Sequence, residues 1–229
     1  MSNITTEKIY TKPSRRPMLD INKLNEGKDA YRIWKRIQDI LVSFIGIAAL
    51  LPVFIIISII VFIECPTASP IFVQERVGKN GKHFKFLKFR SMVPDAEDKL
   101  EELLDQNEME GHAFKMKNDP RVTKVGKILR KTSLDELPQL FNVLIGNMSL
   151  VGPRPPIPRE VVNYDEYQLQ RLLVTPGITC YWQTLPNRND MTFDEWLEMD
   201  LDYIEDRSLK TDYTIILSTV FAVFGMNGI

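Results

Sequence analysis

The dominant pattern along the chain is one unbroken apolar run. From Ile40 to Ile63 stand ILVSFIGIAALLPVFIIISIIVFI, 24 residues without a charge. A helix matches a bilayer core at about 20 apolar residues, so this run predicts membrane insertion. A signal peptide fits less well: the run begins at residue 40 and exceeds the usual apolar core of about 7–15 residues. Pro52 lies near its middle, removes one helical hydrogen bond and crowds the preceding turn. Two forms follow: a kinked spanning helix, or a re-entrant helix–break–helix that enters and leaves by one face. Arg32, Lys35 and Arg36 precede the run, and Arg76, Lys79, Lys82, Lys85, Lys88 and Arg90 follow it. Positive flanks mark the cytoplasmic side, so two positive flanks favour the re-entrant form. Lys35 and Arg36, with Tyr31 and Trp34, suit the membrane–water interface.

Residues 1 to about 30 are polar, mixed in charge, and read as an arm. After the run, Ile71-Phe72-Val73 predicts a strand and Asn80-Gly81 a tight hairpin turn. HFKFLKFRSM, 83–92, alternates aromatic and basic residues as a strand or surface ribbon would. Pro94 to Gly111 is acidic with helical spacing, Val125 to Lys131 predicts a short helix, and Leu134 to Ile145 a longer one ending at Gly146. Prolines crowd 153–176. Asp194 to Ile204 predicts an acidic helix. Tyr213 to Met226 is apolar at helical spacing but short for a span, so it is expected to dock on the domain or the membrane surface.

Composition narrows the class. Of 229 residues, 44% are hydrophobic and 26% charged, as in a folded protein. The net charge of −1 gives no reason to expect nucleic acid. Two distant cysteines, Cys65 and Cys180, make neither a disulfide framework nor a cysteine-based zinc site. A catalytic part facing the reducing cytosol is expected.

Candidate chemistry gathers at Ser133-Leu134-Asp135-Glu136-Leu137-Pro138-Gln139. Ser133 and Glu136 have capping-box spacing, but Pro138 would then fall past the first turn. With Asp135 as cap, Pro138 takes the third helical position, where its missing N–H does no harm. Either form puts adjacent carboxylates at a helix start. Such starts are common, and the functional reading is a nucleophilic carboxylate beside a metal-binding one. Its company adds weight. In Gly152-Pro153-Arg154-Pro155 two prolines stiffen a loop around one guanidinium, which suits phosphate. The cations from Lys82 to Arg90 could meet a pyrophosphate, although most read as a solvated or lipid-facing ribbon.

These segments resemble the monotopic phosphoglycosyl transferases, also called bacterial sugar transferases, from about Trp34 to the C-terminus. The markers occur in family order: Lys35-Arg36-x-x-Asp39; Gln74-Glu75-Arg76-Val77-Gly78; Phe86-Leu87-Lys88-Phe89-Arg90-Ser91-Met92; Asp119-Pro120-Arg121-Val122-Thr123; Ser133 to Gln139; Gly152-Pro153-Arg154-Pro155; and Pro176-Gly177-Ile178-Thr179. The resemblance implies a re-entrant helix broken near Pro52. It implies an α+β, mainly helical fold: an arm at 1–29, an interfacial and re-entrant helix at 30–66, and a catalytic domain with surface-seated amphipathic helices at 67–229. It further implies a UDP-sugar donor, undecaprenyl phosphate as acceptor, Mg2+ and a covalent mechanism. Asp135 then corresponds to the nucleophile and Glu136 to the metal-associated partner. Lys88, Arg130 and Arg154 correspond to substrate-binding cations. Arg188, Asp200 and Tyr203 match the family pattern with less defined roles; an ordinary helix face accounts equally well for Asp200 and Tyr203. The chain departs from the pattern at Cys180 and Pro186-Asn187, which leaves the donor contacts of that loop open. Trp182-Gln183 leans towards galactose or glucose. The expected location is the bacterial inner membrane with the catalytic domain in the cytoplasm, and a homo-oligomer is compatible with all of this. Rival readings are a non-catalytic membrane tether in polysaccharide assembly and a polyprenyl-linked phosphohydrolase.

Overall fold

The computed structural model describes residues 15–108, 114, 116, 118–186 and 190–224. Helix α1 (Ile21–Asn25) leads into α2 (Asp29–Glu64), which holds the whole apolar run. It is long and apolar enough to cross a membrane. The break expected at Pro52 is absent: α2 stays helical through it. Proline forfeits one backbone bond, and the neighbouring turns keep theirs.

Both halves of α2 are fastened to the same domain. Lys35 Nζ lies 2.8 Å from Asp212 Oδ2 and donates to the Val151 carbonyl at 3.0 Å. Arg36 donates to the Val143 and Leu144 carbonyls at 2.7 and 2.9 Å. Asp39 accepts from Ser149 Oγ and the Leu150 N–H. Further on, Phe54, Ile57 and Val61 pack with Phe89 and Leu129. Near the end, Glu64 Oε1 accepts from the Val125 N–H at 3.0 Å. The opposite face leaves Phe44, Ile45, Ile55, Ile56, Ile59 and Ile63 exposed. Lys35 and Arg36 therefore depart from their expected role at the lipid surface. Their cationic groups turn inward, because buried carbonyls and a buried carboxylate need donors that lipid tails lack.

Strands β1 (Ile71–Val77) and β2 (His83–Phe89) form an antiparallel hairpin pairing Val77 with His83. Asn80 and Gly81 take φ of 56° and 76° at its turn, as the Asn-Gly pair predicts. Among its described residues, the acidic stretch after it forms α3 (Leu100–Leu103) and one 3-10 turn, Leu104–Gln106. Leu104 stays exposed there. A run of like charges with no apolar face to bury does not hold a long helix. Gly111 lies outside the described residues.

Next come α4 (Lys124–Lys131), α5 (Gln139–Ile145), β3 (Ser149–Val151), α6 (Pro158–Val161), α7 (Glu166–Leu169) and β4 (Gly177–Thr179). Helix α5 backs onto the hairpin through Asn142, whose amide accepts from the Leu87 N–H and donates to the Lys85 carbonyl. Strands β3 and β4 pair in parallel. A Cβ on Gly177 would lie 2.0 Å from the Gly152 nitrogen, so only glycine fits there. Helix α8 (Phe193–Asp206) carries the predicted acidic pattern, and α9 (Leu209–Phe224) ends the described chain. Met226 lies beyond it. The arm docks onto α8: Arg16 contacts Glu198, Asp202 and Glu205 at 2.7–2.9 Å. The main core joins Phe86, Val143, Met148, Val151, Tyr203 and Ile215, so the hairpin, α5, β3, α8 and α9 share one interior.

Asp212 is fully buried and meets Lys35, Tyr31 and Tyr203. Removing one partner of a buried ion pair leaves a charge uncompensated, at about 3–5 kcal/mol. Lys35→Met is therefore expected to lower stability by about that amount. Denaturant unfolding of the detergent-solubilised protein, compared with an exposed Lys85→Met control, checks it.

Candidate active site

Asp135 and Glu136 sit on a 3-10 turn, Leu134–Glu136, between α4 and α5. Neither expected cap forms. Helix α5 begins at Gln139 with Pro138 in the cap position, and Ser133 makes no cap bond. Ser133 instead takes φ 56°, a left-handed conformation that non-glycine residues seldom adopt. That twist ends α4 and turns the two carboxylates towards the hairpin. Thr123 Oγ1 caps α4 through the Gly126 N–H. Gly126 rests against β2's end, where a Cβ would lie 2.0 Å from the Ser91 carbonyl oxygen. Arg130, on the last turn of α4, donates from Nε to Ser91 Oγ at 3.0 Å. Two short contacts thus set where Arg130 stands relative to Asp135.

The carboxylates line a cavity of about 820 Å3, with Lys88, Arg130, Arg154 and Arg76 also in its wall. Lys88 Nζ is 3.7 Å from Asp135 Oδ2 and 3.6 Å from Glu136 Oε1. Arg154 donates to Glu136 Oε1 at 3.4 Å. Arg76 supports the strap that carries Arg154, donating to the Pro155 carbonyl at 2.8 Å. Stacked indoles of Trp182 and Trp196, 4.4 Å apart, complete another part of the wall.

Burial pushes the Asp135 carboxyl above the usual range; Lys88 opposes this and Glu136 adds to it. Burial also presses on Glu136, but Lys88 and Arg154 outweigh it and hold that carboxyl below its ordinary value. Of this pair, Asp135 takes the first proton. Arg76 is pulled down to about 9 by burial and by the neighbouring Arg154. Lys88 and Arg130 are lowered, chiefly by burial. The full lining balances acids and bases, but Lys88, Arg130, Arg154 and Arg76 cluster around Asp135 and Glu136, a local grouping that suits a phosphate.

Among the described residues no three His, Cys, Asp or Glu side chains converge on a metal site. Mg2+ commonly takes one or two carboxylates and completes its shell with substrate phosphates and water. Asp135 and Glu136 fit that donor set.

Five sequence-predicted residues meet at this cavity: Asp135, Glu136, Lys88, Arg130 and Arg154. Arg188 lies outside the described residues. Asp200 and Tyr203 do not line the cavity. Asp200 is buried and pairs with Arg171 at 2.5 Å, while Arg171 also reaches the Arg154 carbonyl at 3.4 Å. The Trp182 indole N–H adds favourable charge near Asp200 without reaching hydrogen-bond geometry. Burial pushes Asp200 up to about 6. Tyr203 Oη lies 2.8 Å from Asp212 and 3.1 Å from the Val151 carbonyl, inside the knot that holds α2. Both residues are buried in polar contacts, and neither is part of the cavity lining. Sequence reasoning missed Arg76 and Arg171 as site residues. Arg76 stood within a marker segment; Arg171, in an unremarkable Gln-Arg-Leu-Leu stretch, carried no local signal.

The sequence profile of the bacterial sugar transferases matches residues 30–226. The chain belongs to the bacterial sugar transferase family. It is 45% identical over 196 residues, 86% of this chain and 43% of the other, to a galactosyl transferase of Streptococcus agalactiae. It is 40% identical over 208 residues, 89% of this chain and 43% of the other, to the undecaprenyl-phosphate galactose phosphotransferase of Salmonella typhimurium. With the UDP-glucose:undecaprenyl-phosphate glucose-1-phosphate transferase of Escherichia coli it shares 38% over 203 residues, 84% of this chain and 40% of the other. The chain therefore spans less than half the length of these three sugar transferases.

Gly126→Ala should displace α4 from Ser91 and carry Arg130 away from Asp135. The expected outcome is a folded protein with weakened phosphate binding. Isothermal titration with a nucleoside diphosphate, alongside circular dichroism, reads both.

Proposed function

We propose that the chain moves a sugar 1-phosphate from a UDP-sugar to undecaprenyl phosphate through a covalent intermediate on Asp135. The observation that carries this reading is a buried carboxylate, Asp135, with Lys88, Arg130 and Arg154 clustered around it in one cavity. The names of the Salmonella and Escherichia relatives supply the acceptor and donor classes.

Asp135 attacks the sugar-bearing phosphorus of the donor. The bond from that phosphorus to the bridging oxygen breaks, and UMP leaves with the electron pair. A phosphate oxygen of the acceptor then attacks the same phosphorus. The bond to Asp135 breaks, its carboxylate returns, and undecaprenyl-diphospho-sugar forms. Two displacements let one site serve a soluble donor and a membrane acceptor in turn. Lys88 and Arg154 offset charge on the phosphoryl oxygens, and Arg130 extends the same cationic wall. Mg2+, held by Glu136 and substrate phosphates, would supply further charge neutralisation. Desolvation of Asp135 makes its carboxylate the more reactive of the two, while the paired Glu136 stays ionised.

The docking of α2 supports a membrane-seated form in which the continuous helix lies along the domain with one apolar face outward. Residues before and at the end of the apolar run both grip one domain, and the positive flanks favour the cytoplasmic side for it. Ile128 on α4 and Ile145 on α5 are also exposed, as helices seated on a membrane surface would be.

The test is UMP release from a panel of UDP-sugars with undecaprenyl phosphate and Mg2+. Acceptor-dependent release with a lipid-linked product, lost in Asp135→Asn, is the expected result. Release without acceptor and with free sugar phosphate would point to a hydrolase. Full turnover by Asp135→Asn would remove Asp135 as nucleophile.

The acid limb of the rate profile provides a second prediction. The ionised carboxylate attacks, and burial raises its pKa, so activity should fall on acidification at a higher pH than for an ordinary aspartate. Lys88 opposes that rise, so Lys88→Met should move the acid limb towards alkaline pH as well as lower kcat. An unmoved limb would show that Asp135 does not govern it.

A further inference from the structure

A second cavity, of about 190 Å3, lies where α1, α2, the hairpin turn and the end of α8 meet. It shares no lining residue with the catalytic cavity. Arg32, Lys35, Arg36, Lys79 and Arg207 line it, against one carboxylate, Asp39. Asp39 is buried and already accepts from Ser149 and Leu150. Lys35 is neutralised by Asp212. Arg36, Lys79 and Arg207 lack that compensation. Arg36 and Arg207 make their hydrogen bonds to carbonyls and to the Asn25 amide oxygen, which carry no net charge. Arg32 has an exposed contact with Asp29 at 3.6 Å. Among the described residues no carboxylate lies within ion-pair distance of Lys79.

Like charges gathered without counter-ions repel, and the molecule registers it. Lys79 is lowered by burial and then by Arg32 and Arg207. A fold keeps such a cluster at less cost when an anion occupies it. The place is suggestive too. Arg32 and Arg36 belong to the turn of α2 just before the apolar run, beside the exposed Ile33 and Trp34. That is the depth at which headgroup phosphates meet a membrane helix.

We propose that this cavity is a second anion site, separate from catalysis, that binds a phosphate oxyanion through Arg32, Lys79 and Arg207. The phosphate belongs either to a phospholipid headgroup or to a soluble phosphate. Guanidinium and ammonium donors converging from three elements would tie α1, α2 and the hairpin turn together on binding.

The experiment measures the thermal unfolding midpoint of the full chain in neutral detergent, with added phosphatidylglycerol in one arm and inorganic phosphate in the other. A ligand of the native state raises the midpoint by mass action. The expected result is a rise in at least one arm that is largely lost in Lys79→Ala and in Lys79→Glu. A rise with the lipid alone names the headgroup as the source; a rise with phosphate alone names a soluble ligand. The proposal is overturned if neither anion raises the midpoint, or if the rise is equal in wild type and variants. Lys79 lies at a half-buried turn and touches no catalytic group, so both variants should fold. With no anion added, Lys79→Glu should unfold no earlier than wild type, because it relieves repulsion. This readout is independent of transferase activity. Should UMP release fail altogether, the thermal comparison still decides the anion site.

Discussion

The buried carboxylate of Asp212 is the point on which the architecture turns. It lies on α9, accepts from Tyr31 and Lys35 on α2, and meets Tyr203 on α8. Lys35 and Tyr203 also share the Val151 carbonyl, so β3 joins the same knot. A charge withdrawn from water is tolerated only when its partners are complete. The partners here come from two other elements, α2 and α8. The apolar helix is thus fastened to the domain by polar chemistry, and the hydrophobic contacts of Phe54, Ile57 and Val61 follow along its length.

That fastening bears on the catalytic cavity. Helix α5 takes its C-terminal donors from Arg36 and grips the hairpin through Asn142. The hairpin carries Lys88 and Arg76, and the turn before α5 carries Asp135 and Glu136. The strap with Arg154 leaves β3 directly. Placement of α2 therefore sets the distance between the carboxylates and the cations that face them. A site built this way is mechanically tied to the long apolar helix.

The two cavities hold clustered cations in different ways. Around Asp135 the cations face carboxylates at 3.4–3.7 Å, distances at which a phosphate group can compete for the same donors. Around Lys79 the donors bond to neutral oxygens and keep their charge. The first arrangement suits turnover, because its charges are already partly balanced when the site is empty. The second suits occupancy.

Much of this was legible in order along the chain. The apolar run, the Asn-Gly hairpin, the helix ending at Gly146 and the acidic α8 follow from local periodicity and turn chemistry, which tertiary packing did not override. The grouping of Lys88, Arg130, Asp135, Glu136 and Arg154 followed from motif order. Local signals failed where long-range contacts decide. The cap at Ser133 gave way to a left-handed turn because α4 and α5 must reverse within a few residues. Lys35 and Arg36 looked like lipid anchors, since a cation before an apolar helix reads the same whether it faces headgroups or a buried acid. Sequence by itself determined where most elements form and which residue types gather at the candidate site, because propensity and residue type are local properties. Only the tertiary structure decided that Asp200 and Tyr203 lie outside the cavity lining, that Arg76 and Arg171 bond the Arg154 strap, and that α2 lies along the domain. Those outcomes depend on which distant partner satisfies each buried charge, and no local pattern encodes that choice.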